Sequence, residues 1–436
     1  MTTTPDRRSL RRVAAASMTG TVIEFYDFFI FGTAAAIVFN RVFFPGLGAA
    51  AGTAVAFATS GVAFVARPFG SILFGHFGDR VGRKATLIST LLLMGFATLG
   101  IGLLPTAAVL GAAAPVLLVV LRIVQGLAVG GEWAGAALLA GENAPAGQRG
   151  RYGMYPQLGP SVAFSLSSAT FLVTSLTLSD EAFLSWGWRI PFLLSALLVG
   201  VGLYVRLYLS ETPVFRGTTR RSRIPVADLL RHQWREVVLG SLAVTASFAF
   251  ASLGLTYLTS YGTATLGLPR RVVLAAGIVA GLVFAATTVA GALLSDRVGR
   301  RRVVLGGQAL CVVGALVLFP ILDVGTPLAF GIGVALILGV TGVPYGPLGA
   351  QLTEIFATRF RYTGAGMAYN VGGVLGGAVT PIVAVSLTEL SGGIAVGVYL
   401  TVLAAVSFAA SYALGETGRG DLADAEDRAV ESEVRA

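Results

Sequence analysis

The chain has 436 residues, 55% hydrophobic and only 12% charged. Soluble domains carry roughly 25% charged residues, so no water-facing surface can be built from this composition. The net charge of +9 lies in brief clusters between apolar runs rather than on one soluble face, which argues against nucleic acid as a partner.

A helix needs about 20 apolar residues to cross hydrocarbon, because each backbone N–H and C=O must be paired inside the segment. Runs of that length fall near 15–39, 53–77, 85–105, 115–140, 154–177 and 189–209, and again near 236–261, 272–294, 302–321, 328–351, 363–387 and 394–414. The chain opens with Arg7, Arg8, Arg11 and Arg12 before an apolar stretch, a pattern superficially like a twin-arginine export signal. Glu24 and Asp27 interrupt that stretch, and it runs on to Phe39 without an evident cleavage site, so we expect an uncleaved first helix.

Arginine and lysine sort to alternate loops. One side collects Arg80, Arg83, Lys84, Arg149, Arg151, the group from Arg216 to Arg235, Arg297, Arg300 to Arg302, Arg359 and Arg361; the other holds only Arg41, Arg189, Arg270 and Arg271. Short cytoplasmic loops are the ones enriched in these residues. Both termini are therefore expected in the cytoplasm and the helix count is even. Residues 1–14 read as a cytoplasmic N-terminus, 15–211 as a first six-helix bundle, 212–235 as a cytoplasmic linker, 236–415 as a second bundle and 416–436 as a solvated tail. Cys311 is the sole cysteine, which excludes an intramolecular disulfide and a thiolate metal cage; neither a metal nor a cofactor is expected.

Two loops repeat across the halves. Gly75-His-Phe-Gly-Asp79-Arg80-Val-Gly82-Arg83-Lys84 follows the second run, and Ser295-Asp296-Arg297-Val298-Gly299-Arg300-Arg301 follows the eighth. Arg149-Gly-Arg151-Tyr152 likewise matches Arg359-Phe-Arg361-Tyr362. An Asp ending one helix, a Gly permitting a tight turn and two cations entering the next can make a cytoplasmic latch. Asp79 is expected to accept from exposed N–H groups at a neighbouring helix start, and Arg83 to reach Glu142. The copy around Asp296 has Ala292 where the first has Gly75, which questions close helix packing there.

These loops resemble the signature of the major facilitator superfamily, and Arg122-Ile-Val-Gln125-Gly126 is similar to its second signature. Further stretches are similar to the metabolite:proton symporter branch: Gly20 through Asp27, Arg67-Pro68-Phe-Gly70, Gln125 through Trp133, and Trp186-Gly-Trp188-Arg189-Ile-Pro191. That branch includes permeases for shikimate, 2-oxoglutarate, citrate, proline and betaine. The resemblance implies an all-α membrane protein of twelve transmembrane helices in two pseudo-symmetric six-helix bundles, commonly working as a monomer. Closest in pattern is the shikimate permease type, which implies a small organic acid as cargo.

A charge at mid-helix costs roughly 2.5–3.5 kcal/mol on insertion scales, so each needs a partner, a watery cavity or a proton. Glu24 and Asp27, three residues apart, share one helix face with Tyr26 alongside. Neighbouring carboxylates resist double ionisation, and such a pair can load and release a proton; the rival reading is a permanent ion pair with Arg67 or Arg122. Arg122 stays charged and must be compensated, either by the helix 1 acids until substrate disturbs the pair or by a fixed bridge to Glu132. We take Glu24, Asp27 and Arg122 as the proton-coupling set. Candidate substrate contacts are Tyr26, Arg122, Gln125, Glu132, Trp133 and Gln157 in the first half and Tyr257, Tyr261, Tyr345, Tyr369 and Asn370 in the second, where polar aromatics and amides stand in for mid-helix charge. The glycines at 126, 130, 131 and 135, and at 372, 373, 376 and 377, read as close helix packing.

No Gly-x-x-x-x-Gly-Lys-Ser/Thr occurs, so direct ATP use is excluded. The reading is a proton-coupled importer of a small organic acid in the cytoplasmic membrane, not an enzyme, working by alternating access with a site near the midplane. A proline or betaine importer and a drug or metabolite exporter of the same fold are the alternatives. A non-transporting receptor fits less well, because the tail is too short for a signalling domain.

Overall fold

The computed structural model describes residues 7–81, 83–142, 144–145, 147–208, 225–358 and 360–417, which are helical apart from short turns and contain no strand. In chain order the apolar helices are α1 (Ser17–Val42), α2 (Ala49–Phe74), the shorter α3 (Ile88–Leu103), α4 (Ala113–Gly141), α5 (Arg149–Thr177), α6 (Gly187–Tyr204), α7 (Trp234–Thr265), α8 (Arg270–Val298), α9 (Arg300–Leu322), α10 (Pro327–Ile355), α11 (Arg361–Ser391) and α12 (Gly393–Leu414). All but α3 are long and apolar enough to cross a membrane. These helices lie on the runs expected from the sequence.

Within the first bundle α1 packs on α5 and α6, α2 on α4, and α3 on α4 and α6; within the second α7 packs on α11 and α12, and α10 on α8 and α9. The bundles meet mainly along α5 and α8, with α2 on α11, α1 on α7, and the end of α10 on α4 and α5. Many apolar side chains on the outer faces are exposed, among them Phe69, Phe96, Leu197, Leu282 and Leu390. That is the arrangement a lipid-facing surface requires.

The span read as a linker contains a helix, Pro225–His232. Proline occupies its first position, Asp228 lies in the first turn and Arg231 and His232 in the last, so charge opposes the helix dipole at both ends, while Leu229 is buried. Residues 212–224 of that span, 209–211 at the end of the expected first bundle, and 1–6 and 418–436 of the expected terminal segments lie outside the described residues.

Glycine seams let backbones touch. A Cβ on Gly70 would stand 2.0 Å from the Leu127 carbonyl, and one on Gly130 would stand 2.0 Å from the Arg67 carbonyl, so α2 and α4 cross at backbone contact. The regular helix of α4 ends at Val129 and restarts at Glu132 over this crossing. On α11 a Cβ at Gly376 would meet the Thr245 carbonyl at 2.1 Å. Both expected seams are packing surfaces. Gly130→Ala is therefore expected to cost about 1–3 kcal/mol through overpacking. Gly306→Ala, whose added methyl meets nothing within 4 Å, should be neutral or slightly stabilising. Thermal unfolding of the two detergent-purified variants checks the contrast.

Candidate functional site

The buried charges of α1 fall into two environments. Asp27 is fully buried and accepts a hydrogen bond from Thr98 Oγ1 of α3 at 2.7 Å. Thr98 Oγ1 is in turn met at 2.8 Å by Gln125 Nε2 of α4, and Gln125 Oε1 accepts from the Arg122 guanidinium. Arg122 also donates to the Ser60 carbonyl at 3.5 Å and lies 3.9 Å from the Phe31 ring centroid. Among the described residues it makes no hydrogen bond to a helix 1 carboxylate or to Glu132. Its link to Asp27 is electrostatic and runs through this indirect chain, because Gln125, one turn along α4, reaches the guanidinium.

Glu24 faces the other way. It lines a cavity with room for about one water molecule, together with Phe28, Ala63, Arg67, Arg122, Gln125, Gly126 and Val129. Arg67 is buried among Phe25, Phe28 and Phe64, its guanidinium carbon 4.7 Å from the Phe64 centroid. Phe28 stands between the two arginines, 5.3 Å from Arg67 and 5.2 Å from Arg122. Glu24 and Arg67 both lie within electrostatic reach of Tyr345 and Tyr369 of the second bundle. The two acids therefore do not act as a touching pair: an offset of about 60° around the helix sends Glu24 to the cavity and Asp27 toward Thr98 and Ser195.

Beside the cavity the bundles are joined by aromatic rings. Trp133 stacks on Tyr369 at 3.6 Å between centroids with planes 5° apart, and its Nε1 donates to Gln157 Oε1 at 2.8 Å. Gln157 Nε2 donates to the Tyr345 carbonyl at 3.1 Å, the Tyr345 and Tyr369 hydroxyls are 3.3 Å apart, and Asn370 Nδ2 donates to the Gly130 carbonyl at 3.0 Å. Five predicted substrate residues, Trp133, Gln157, Tyr345, Tyr369 and Asn370, thus form one cross-bundle cluster. Glu132 is buried at the restart of α4.

Three other tyrosines face elsewhere. Tyr26 donates to the Pro191 carbonyl at 3.2 Å and to Thr170 Oγ1 at 3.3 Å, tying α1 to α5 and α6. Tyr257 pairs with Thr388 at 2.6 Å, and Tyr261 donates to Asp323 at 3.2 Å, both inside the second bundle. Their rings supply apolar packing while their hydroxyls tie neighbouring segments together.

The latch expected of the loop signature is present in its second copy. Asp296 accepts from the backbone N–H of Gly150 and of Arg151, both at 2.8 Å, at the start of α5, and from Arg300 Nη1 at 2.6 Å. Arg300, buried, also faces Glu354 at 3.5 Å, and Arg149 reaches Glu354 at 3.9 Å. Gly299 turns the chain with φ of +103°, and a side chain there would strike Glu416, which accepts from the N–H groups of Arg300 and Arg301. Arg297 is exposed. Close packing survives Ala292 because the small residue is on the partner helix: a Cβ at Gly150 would stand 2.7 Å from the Ala292 carbonyl. In the first copy Gly82 and the side chains of Asp79, Arg80, Arg83 and Lys84, with that of Glu142, lie outside the described residues.

Sequence reading missed Thr98 and Glu354 as members of these networks. A lone Thr or Ser in an apolar helix carries no signal of its own. Glu354 did carry one, since it closes α10 ahead of Arg359-Phe-Arg361 as Glu142 closes α4 ahead of Arg149-Gly-Arg151.

Two helical bundles, a charged cavity buried in the first of them, an aromatic and amide cluster joining the two, and an ionic latch at the loops are the arrangement of a secondary carrier. The profile of the Major Facilitator Superfamily matches residues 17–381, and the chain belongs to that family. It is 45% identical over 417 residues to the inner membrane metabolite transport protein YhjE of Escherichia coli K12, covering 94% of this chain and 95% of the relative. It is 40% identical over 401 residues to the shikimate transporter of the same organism, covering 89% and 91%. The proline/betaine transporter of E. coli K12 is 30% identical over 432 residues, covering 96% and 86%. Among solved structures, the proton:xylose symporter XylE bound to 6-bromo-6-deoxy-D-glucose superposes with a TM-score of 0.78 at 16% identity, covering 97% of this chain and 99% of that one, a likeness of fold. The chain is thus a multi-pass metabolite transporter and not an enzyme.

The latch carries charge-assisted hydrogen bonds worth about 1.5–3 kcal/mol each. Asp296→Ala should therefore open the face at Thr353, a buried residue of α10. A Thr353→Cys probe is expected to react with maleimide at least about tenfold faster in the Asp296→Ala background, while the native Cys311 stays buried.

Proposed function

We propose that the chain imports a small organic acid together with a proton across the cytoplasmic membrane by alternating access. One observation carries the reading: two acids, Glu24 and Asp27, and two arginines, Arg67 and Arg122, are buried together in the first bundle, Glu24 and both arginines on one cavity and Asp27 linked to Arg122 through Thr98 and Gln125. Fully ionised, these four cancel. A cargo with one carboxylate adds a negative charge to a low-dielectric site, where uncompensated charge is costly. One proton on either acid restores neutrality, so anion and proton enter most cheaply together. A zwitterion such as proline or betaine adds no net charge and calls for no such proton. Similarity to the shikimate transporter supports the acid.

In this reading the face bearing Arg149, Asp296 and Arg300 is cytoplasmic, with both termini, as the distribution of Arg and Lys supports. The bundles, 15–211 and 236–415 joined by 212–235, rock about the cavity as a single chain. The cross-bundle cluster of Trp133, Gln157, Tyr345, Tyr369 and Asn370 shapes the cargo site, and the inward proton gradient supplies the drive.

Proteoliposome uptake under an imposed pH gradient tests the assignment with shikimate, 2-oxoglutarate, citrate, proline and betaine. Accumulation of an acid is expected. Asp27→Asn should lower gradient-driven accumulation at least about tenfold while counterflow exchange persists, and Arg122→Lys, which keeps charge but loses the fork, should weaken both. Gradient-driven uptake surviving in both Glu24→Gln and Asp27→Asn would remove the proton assignment, and accumulation of only the zwitterions would replace the cargo.

A further inference from the structure

We infer that Gln125 and Thr98 form a hydrogen-bond relay through which the occupancy of Arg122 sets the hydrogen bonding, and so the protonation, of Asp27. The inference rests on the reading that Asp27 carries the coupled proton. Its starting point is that guanidinium is a donor only. Because Gln125 receives a hydrogen bond from Arg122, its amide oxygen faces α4, and its Nε2 is left to point at Thr98 Oγ1, 2.8 Å away. Thr98 must then accept. Its own hydrogen has two acceptors in reach, Asp27 Oδ2 at 2.7 Å and the Met94 carbonyl at 3.0 Å. A carboxylate is the stronger acceptor, so the chain runs in one direction from Arg122 to Asp27. Each member is buried, and no bulk water competes with it.

The groups facing Asp27 are few. Arg122 of α4 acts on it electrostatically and through the relay; α3 brings Thr98, and α6 brings Ser195. Tyr26 on its own helix is turned to Pro191 and to Thr170 of α5, and Glu24 with Arg67 of α2 lines the cavity. The relay is therefore the direct hydrogen-bonded path between Arg122 and the acid.

When a cargo carboxylate takes the fork of Arg122, Gln125 is released. Its amide can turn and offer oxygen to Thr98, whose hydrogen then leaves Asp27 for Gln125 Oε1 or for the Met94 carbonyl. Asp27 is left as a buried carboxylate without its donor, a costly state, and a proton arriving from solvent through the open side of the carrier relieves it. Protonated Asp27 then donates to Thr98. No proton travels along the relay; hydrogens on nitrogen and oxygen only reorient. Cargo and proton are loaded together although Asp27 and Arg122 never touch.

Thr98 and Gln125 are positioning residues in this scheme, and neither carries charge. Substituting them tests the relay without adding or removing a formal charge. The full chain in liposomes is titrated by pH-difference infrared spectroscopy between about pH 5 and pH 9, with no cargo added, and the carboxyl band of Asp27 is assigned as the one that Asp27→Asn removes. Thr98→Val and Gln125→Met are each expected to displace the midpoint of that band by about one pH unit or more, and the double variant by no more than the larger single effect, since both cut one path. Thr98→Ser should restore the native midpoint. Amide bands report folding in every variant, and Thr98→Ala replaces Thr98→Val if the latter is altered. Unmoved midpoints, or displacements that add, overturn the relay alone. If Asp27→Asn removes no band, the relay and the proton assignment fall together.

Discussion

Hydrocarbon offers a charge no partner, and the charged side chains buried in the first bundle are the constraint from which the rest of this molecule follows. Glu24, Asp27, Arg67 and Arg122 are satisfied by different means. Arg67 is surrounded by three phenylalanine rings and Arg122 lies over Phe31, contacts worth about 2 kcal/mol when desolvated. Asp27 has the hydroxyl of Thr98. Such partial solvation holds only while the charges cancel. Changes of net charge at the site are therefore coupled.

Backbone contact makes the cluster possible. Arg67 and Arg122 are on different helices, and they share a cavity because glycine at 70, 126 and 130 lets α2 and α4 cross without side chains between them. Across the bundle boundary the second half contributes rings and amides instead of charge. Tyr369 against Trp133 and Tyr345 beside Gln157 join the bundles through groups that can part and re-form without stranding a buried ion. Division of labour between the halves thus has a physical basis, since a gate that opens in every cycle is cheaper to build from stacked rings than from desolvated ion pairs.

Much of this was legible in the sequence, and the boundary of legibility is instructive. Span lengths follow from the hydrocarbon thickness, and the repeated loop around Asp296 foretold a carboxylate on the start of a neighbouring helix, found on Gly150 and Arg151. Glycine spacing foretold the seams. What failed was angular: Glu24 and Asp27 read as one face, yet a modest rotation places them in separate grooves, and Tyr26 with Tyr257 and Tyr261 turn inward to neighbours of their own bundle. Sequence spacing gives the direction in which a side chain leaves its helix; which neighbour fills the groove it enters depends on the packing of every other helix. Thr98 was invisible for the same reason, because a hydroxyl in an apolar run becomes a relay member only when α1 and α4 bring it Asp27 and Gln125.

The two faces of the molecule are not closed equally, and the difference sets a direction. Opposite the arginine-rich face, the bundles are tied by Arg270 and Asp180 at 2.7 Å, with the Asp180 side chain 88% exposed, and by Arg270 on Ser175 and the Phe183 ring. An exposed pair of this kind is worth about 0–1 kcal/mol. At the arginine-rich face, separating α5 from α8 takes the Asp296 carboxylate from the Gly150 and Arg151 N–H groups and Arg149 from the buried Glu354, and charge-assisted hydrogen bonds of this kind are worth about 1.5–3 kcal/mol each. From the closed state the exposed side therefore opens first. On the proposed orientation, with the arginine-rich face in the cytoplasm, an empty carrier rests open to the outside, where the proposed cargo and proton are collected. The inner latch then yields only to a ligand that binds the inward-facing form more tightly than the outward one.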